Sequence, residues 1–455
     1  MSKYKPHYRD NLKLAVPVVI SQLGHVAVQT SDIIIIGHFA GTLALAGVAL
    51  GTSIFSVPFI IGIGISYGAT PLIAQNNGSK NYDECGKLLS NSLYINILSG
   101  IILLAAVLLG ERYLINYLHQ SPEVVEQAKP FLSLLTLSLI PMLIFNTFKQ
   151  FAEGLGFTKQ AMYISIGGNI LNICLGIIFV KGLFGVTPMG IRGVGYSSLI
   201  DRCTMAVVMG FYVFRSPRFK QYLRHFSMHS FDRLRSLKIL KVGVPVALQY
   251  TFEISAFSGA AVIIGAIGYV QLAAHQVAIN LASMTYMMSS GIGAAAAIKS
   301  GNYFGAKDHR SLRTSALSSY HIVLAFMFLT ALVFTFGNHL LPWIYTSDNN
   351  VIIIAAQLLI VAAFFQLFDG GQVVGLGVLR GMGDVNIPTL ITFISYWIIG
   401  LPIGYWLGIY LKVGAMGVWY GLTLGLMASA IMLFIRFQII SRKHRYKTQV
   451  IIAQD

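Results

Sequence analysis

Residues 13–22 read KLAVPVVISQ, and residues 241–250 read KVGVPVALQY. The two stretches share a Lys, a Val-Pro pair and an apolar continuation, and Pro17 and Pro245 stand 228 positions apart. Each lies at the start of a long apolar run, 13–36 and 239–268. Runs of that length exceed the ~20 apolar residues that a helix needs to cross a bilayer. Matching segments follow at nearly the same offset. LALAGVAL (43–50) pairs with LAAHQVAI (272–279), and AQNNGSKN (74–81) with GNYFGAKD (301–308). AEGLGFT (152–158) pairs with LRGMGDV (379–385), and GIRGVGYSS (190–198) with GAMGVWYGL (414–422). The chain therefore reads as one unit written twice.

The composition fits that reading. Of the 455 residues, 55% are hydrophobic and 11% charged, where soluble domains carry about 25% charged. This excludes an ordinary soluble enzyme, a disordered chain and a disulfide scaffold. Cys85, Cys174 and Cys203 are scattered and odd in number, which indicates neither a disulfide framework nor a zinc site. The start, MSKYKPHYRDN, lacks the short apolar core and cleavage site of a signal peptide. Twelve apolar spans are expected: 13–36, 44–75, 88–110, 130–151, 161–181, 190–214, 239–268, 272–299, 314–337, 351–379, 386–411 and 414–440. The predicted fold is an all-α membrane protein, with 12 transmembrane helices in two pseudo-symmetric six-helix bundles around a central cavity. Residues 1–225 are expected to form the N-terminal lobe and 226–455 the C-terminal lobe, related by an axis along the membrane normal. Repeated bundles of this kind are the architecture of alternating-access transporters.

The formal net charge of +16 would suggest a nucleic-acid partner in a soluble protein. Here its distribution gives it another meaning. With both termini cytoplasmic, 26 of the 32 Lys and Arg fall on the inside, and only Arg112, Lys129, Lys181, Arg192 and Lys412 on the outside. Arg202 alone is placed inside a span. That asymmetry is the positive-inside signal. The basic residues set topology and meet anionic lipid headgroups, so the partners include membrane lipids and no nucleic acid.

Four of the 16 acids fall inside spans: Asp32, Asp201, Glu253 and Asp369. An ionised group at bilayer depth is costly unless it faces protein, water or a partner, so such residues are functional candidates. Asp32 follows Gln29 by three residues, Glu253 follows Gln249 by four, and Asp369 sits between Gln366 and Gln372. Each acid thus lies in a polar stripe of the kind that faces a cavity, the bland alternative being a hydrogen bond between helices. Asp201 differs because Arg202 adjoins it. Helix neighbours point about 100° apart, so a second helix would have to bring them together, and a structural role is as well supported as a functional one. A buried carboxylate can carry a proton near neutral pH, or join hydroxyl and amide oxygens around a hard cation. Asp32 with Asn169 and Asn172 could form such an oxygen cluster, and so could Glu253 with Asp369. Either pair leaves Na+ and H+ both open.

GxxxG spacing occurs at Gly64/Gly68, Gly371/Gly375, Gly377/Gly381 and Gly417/Gly421, which permits close helix approach. Pro17, Pro58, Pro141, Pro245 and Pro402 are candidate kinks. The chain holds 28 Phe, 22 Tyr and 15 Met. An aromatic and Met-lined cavity with a few acids would suit bulky organic cations, with Tyr286 and Met287 as weak candidates against an ordinary lipid-facing role. HExxH, GxSxG, Walker A and paired CxxC motifs are all missing from the sequence, so no catalytic residues, cofactor or nucleotide-driven step are expected. His25, His275 and His321 are isolated and read as helix-contact residues.

Taken together, the paired Val-Pro segments, Asp32 in the first span, Glu253 in the seventh, Asp369 in the tenth and LRGMGD (379–384) resemble the multidrug and toxic compound extrusion (MATE) family, in its bacterial NorM-like branch. The resemblance runs over nearly the whole chain. It implies a bacterial inner-membrane antiporter, not an enzyme, that exports amphipathic organic cations in exchange for Na+ or H+ and works as a monomer. Glu253 and Asp369 match the family's C-lobe cation site and would be the Na+ ligands if Na+ is the coupling ion. Asp32 and Asn172 match its N-lobe site, with Asn169, Asp201, Gln249 and Gln29 as further candidates. Gly176 stands where the family pattern places a second Asn or Asp, and Asp201 next to Arg202 is outside that pattern. The alternative is a flippase for a lipid-linked oligosaccharide from a related superfamily. It would need a basic cavity, whereas the spans hold one Arg and four acids.

Overall fold

A bilayer offers no water to unpaired backbone groups, so a chain with apolar runs this long satisfies them within helices. The computed structural model describes residues 4–113, 121–224, 226–227 and 231–452, with side chains described as far as Arg442. Among the described residues there is no strand, and twelve helices are long and apolar enough to cross a membrane. They are α1 (Lys5–Phe39), α2 (Gly41–Gly78), α3 (Tyr82–Tyr113), α4 (Pro122–Gly154), α5 (Thr158–Lys181), α6 (Ile191–Arg215), α7 (Arg233–Ile267), α8 (Tyr269–Gly305), α9 (His309–Phe336), α10 (Asn349–Gly381), α11 (Asn386–Tyr410) and α12 (Ala415–Ile452). All twelve expected spans are present. Most helices run a few residues beyond the apolar stretch, because polar ends continue the same hydrogen-bonded ladder into the interface.

The prolines act in different ways. Pro17, Pro58 and Pro245 lie inside continuous helices. Pro141 follows a break in α4 at Ser138, between Pro122–Leu137 and Leu139–Gly154. A second break, at Tyr67–Gly68, divides α2. Pro402 lies between two π-helical segments of α11, Ile394–Gly400 and Trp406–Tyr410. Its missing N–H frees a carbonyl one turn earlier, and wider turns absorb the mismatch.

The helices group into two compact units. One comprises Ile20–Ala247, and the other the residues up to Val19 together with those from Leu248 onward. These are not the contiguous halves 1–225 and 226–455 expected from the sequence. The first part of α1 belongs with the C-terminal helices, and the first part of α7 with the N-terminal ones. The exchange points follow Pro17 and Pro245 by two residues each, so the repeat offset is kept in the packing.

In the N-terminal unit α4 packs against α2, α3 and α6. In the C-terminal unit its repeat counterpart α10 packs against α8, α9 and α12. Each unit holds two apolar clusters. In the C-terminal unit one centres on Trp419, Tyr396 and Leu359, and the other on Phe437, Val323 and Leu379. Lipid is as apolar as Leu, so close packing rather than the escape from water holds such helices together. Glycine makes that packing tight along α11 and α12. A Cβ on Gly421 would overlap Gly404, and one on Gly417 would stand 2.7 Å from Gly408. The predicted GxxxG face of α12 thus meets a glycine face of α11.

Candidate functional site

In the C-terminal unit, α7 contributes Glu253 and α10 contributes Asp369, both buried with 5% and 3% of their surface exposed. The two carboxyls lie close enough to act on each other electrostatically. The Tyr396 hydroxyl, carried by the first π-helical segment of α11, donates to Glu253 Oε1 at 3.4 Å. That hydroxyl in turn accepts from Gln372 Nε2 at 2.8 Å. Tyr286 of α8 hydrogen-bonds the Glu253 carboxyl. The Arg380 guanidinium at the end of α10 lies over the Tyr250 ring at 5.6 Å and acts electrostatically on Glu253. Four helices therefore converge on one acidic pair.

Several expectations meet here and others do not. Glu253, Asp369 and Tyr286 come together. Gln249 instead ties α7 to the start of α11, donating to Val385 O at 3.2 Å and Thr389 Oγ1 at 2.9 Å. Gln366 accepts a short hydrogen bond from Thr330 Oγ1. Met287 is half-buried beside Tyr286. Tyr396 and Arg380 were missed. In sequence Tyr396 is one aromatic among many, and only Pro402, six residues on, hints at irregular backbone. Arg380 sits inside LRGMGD and reads as a loop charge.

In the N-terminal unit, Asp32 of α1 is half-buried with its Oδ1 enclosed and unpartnered. Asn172 of α5 is buried and donates to Ser198 Oγ of α6 at 3.3 Å, its Oδ1 unpartnered. Asn169 is buried, with its amide against Gly24 of α1, where a Cβ would overlap it. Asp201 of α6 is buried and hydrogen-bonds Asn172. Arg202 points elsewhere. It donates to Ser138 Oγ at 2.7 Å, in the break of α4, and its guanidinium lies over Phe55 and Phe59 at 5.2 and 5.6 Å. It still acts on both Asp201 and Asp32. Gln29 is exposed.

Two charges outside the four candidate acids are also buried. Lys149 and Glu153 of α4, placed at a span end and in the following loop, are both buried, 4.0 Å apart, and Lys149 donates to Ser21 at 3.5 Å. Two of the histidines do hold helices together. Trp419 Nε1 donates to His275 Nδ1 at 3.0 Å, and Tyr8 Oη lies 2.9 Å from His321 Nδ1. His25 lies close enough to Lys149 and Arg202 for electrostatic interaction. Among the described residues, three or more His, Cys, Asp or Glu nowhere gather as a metal cluster.

Two six-helix repeats, each with buried carboxyls among amides and hydroxyls, define a polytopic membrane transporter. The MatE family model matches residues 17–178 and again 245–406, at the offset that separates Pro17 from Pro245. The chain belongs to the MatE family, whose members are transporters and not enzymes. It is similar to the multidrug resistance protein MdtK of Proteus mirabilis, at 32% identity over 97% of this chain and 98% of that one. The MdtK of Photorhabdus laumondii is 34% identical over 96% of each chain. A probable multidrug resistance protein NorM of Bacillus licheniformis is 30% identical, also over 96% of each. A eukaryotic MATE transporter has the same fold, with TM-score 0.86 at 19% identity, covering 98% of this chain and 99% of that one. So has an outward-facing multidrug resistance MATE transporter, with TM-score 0.88 at 18% identity and 97% coverage of each. The chain is thus a multi-pass bacterial membrane protein of the multidrug efflux transporter family.

Proposed function

We propose that this protein is an antiporter that exports amphipathic organic cations across the bacterial cytoplasmic membrane in exchange for Na+ or H+. One observation carries the reading: Glu253 and Asp369, from different helices, are both buried within electrostatic reach of each other, and two tyrosine hydroxyls bond Glu253. Two like charges in a low-dielectric site repel strongly, and a proton or metal cation between them relieves that repulsion. Occupation of the pair by the coupling ion would favour one state of the carrier, and an organic cation the other. Coupling needs just this difference in affinity between states. The relatives named as multidrug resistance proteins support the substrate class. The distribution of Lys and Arg supports cytoplasmic termini, and the two complete repeats in one chain support a working monomer.

The test uses proteoliposomes loaded with a fluorescent organic cation. Wild type should move the dye when a Na+ or a proton gradient is imposed. Glu253→Gln and Asp369→Asn should each reduce gradient-driven transport by about tenfold or more, with normal insertion and monodispersity. Transport at wild-type rates in both variants would refute the assignment.

A further inference from the structure

The acidic pair of the C-terminal unit has a cation beside it. Arg380, in the last turn of α10, is half-buried, and its guanidinium lies over the Tyr250 ring at 5.6 Å. Tyr250 stands three residues before Glu253 on α7, on neighbouring turns of one helix face. From that place the guanidinium acts electrostatically on the Glu253 carboxyl. Two other cations of the unit are committed elsewhere, Lys299 to Asp10 at 3.1 Å and Arg436 to Asp384 at 2.8 Å.

Packing fixes where Arg380 starts from. A Cβ on Gly377 or on Gly381 would overlap a backbone carbonyl of α8, that of Gly293 or of Ala297. The end of α10 is therefore pressed against α8, and the side chain of Arg380 leaves from a rigid base. A ring face then holds a guanidinium without supplying a counter-charge. Charge counting gives the consequence. Two ionised carboxylates and one guanidinium leave a single net negative charge, which one monovalent cation cancels. Without the guanidinium the same site would hold two negative charges in a low dielectric, and a cation would bind it more tightly and leave it more slowly. A carrier must release its ion in every cycle, so tighter binding lowers turnover.

We propose that Arg380 is the built-in counter-ion of the Glu253 and Asp369 pair, a fixed positive charge that keeps the coupling ion loose enough to be released. The proposal rests on the cation-coupling reading above and deepens it, since it names the residue that sets ion affinity at that site. Arg380 acts through Glu253 and is a positioning residue. Its signature is opposite to that of a structural residue: loss of its charge tightens ion binding, whereas loss of a structural contact loosens it.

The test uses the full-length protein in proteoliposomes and measures the half-saturating concentration of whichever ion, Na+ or H+, drives dye efflux in wild type. Arg380→Gln and Arg380→Met remove the charge, and each should lower that concentration about tenfold and reduce the maximal rate. Arg380→Lys keeps the charge and should stay near wild type. Where efflux is too slow to titrate, equilibrium binding of radioactive Na+, or proton uptake, by protein in lipid nanodiscs gives the same affinity. A half-saturating concentration at or above the wild-type value in the charge-free variants would overturn the proposal. So would an Arg380→Lys protein that behaves like Arg380→Gln. Glu253→Gln and Asp369→Asn, run alongside, separate the two claims. Coupled efflux lost in both, with ion affinity unaltered in the Arg380 variants, overturns the proposal alone. Wild-type efflux in both removes the pair on which the proposal rests and overturns the two together.

Discussion

Tyr396 links two groups that sequence inspection ranks far apart, donating to Glu253 and accepting from Gln372. Tyr396→Phe keeps the ring but leaves the Gln372 amide without its acceptor, a buried loss worth about 1–3 kcal/mol. Its melting temperature should fall, and cation-driven transport should weaken while dye binding persists. Unchanged melting and transport would show that the hydroxyl is idle. Asp308, outside the membrane, gives a different prediction. Burial pushes its carboxyl up, but hydrogen bonds from Ser311 and the Arg310 backbone outweigh that and hold it below its usual range. It caps α9 through Ser311 N at 3.0 Å. A depressed carboxylate stabilises the fold above its unfolded pKa, and the contribution is lost as pH falls through the folded value. Asp308→Ala should cost about 1 kcal/mol near neutral pH, and the difference from wild type in a melting curve should shrink below about pH 4. Glu253 and Asp369 stood out in the sequence because an acid in an apolar run is costly, with a hydrogen bond between helices as its one bland alternative. Tyr396 did not, because an aromatic there has several.

At the scale of elements, the number and order of helices follow directly from hydropathy, since a bilayer admits few other solutions. Their faces do not. GxxxG marks both Gly421 and Gly371, yet the same motif has different surroundings. A Cβ at Gly421 would overlap Gly404 of α11, whereas one at Gly371 would meet Ala430 at an ordinary 3.6 Å. Gly421→Val should therefore push α11 from α12 and lower the melting temperature by several degrees or prevent stable insertion. Gly371→Ala should be tolerated. Thermal unfolding in detergent of the two variants decides it, and equal behaviour would contradict the packing described. The sequence showed the spacing but not the partner helix, which only the fold supplies. For the same reason Glu153 was taken for a loop residue, when α4 in fact carries it to Gly154 with the side chain buried.

For the whole molecule, the repeat was legible as paired segments, and the halves it defines are chemically unequal. Position 153 carries Glu beside Lys149, while its counterpart 380 carries Arg over Tyr250. The division into units could not be read from the sequence, because the exchange at Val19 and Ala247 lies within unbroken helices, where composition does not change. The asymmetry of basic residues predicts the orientation. In a cysteine-free background, single cysteines at Lys220 and Lys307 should be labelled by an impermeant thiol reagent only from the cytoplasmic side, and one at Lys412 only from outside. The opposite pattern would invert the proposed topology. In the proposed mechanism the buried pair Glu253 and Asp369 couples ion entry to export. Its most direct test is efflux of a fluorescent organic cation from proteoliposomes, with Na+ and proton gradients imposed separately on wild type, Glu253→Gln and Asp369→Asn. At least one gradient should drive the dye in wild type, and neither should do so in either variant. Gradient-driven efflux that survives both substitutions, or dye movement indifferent to both gradients in wild type, would contradict it.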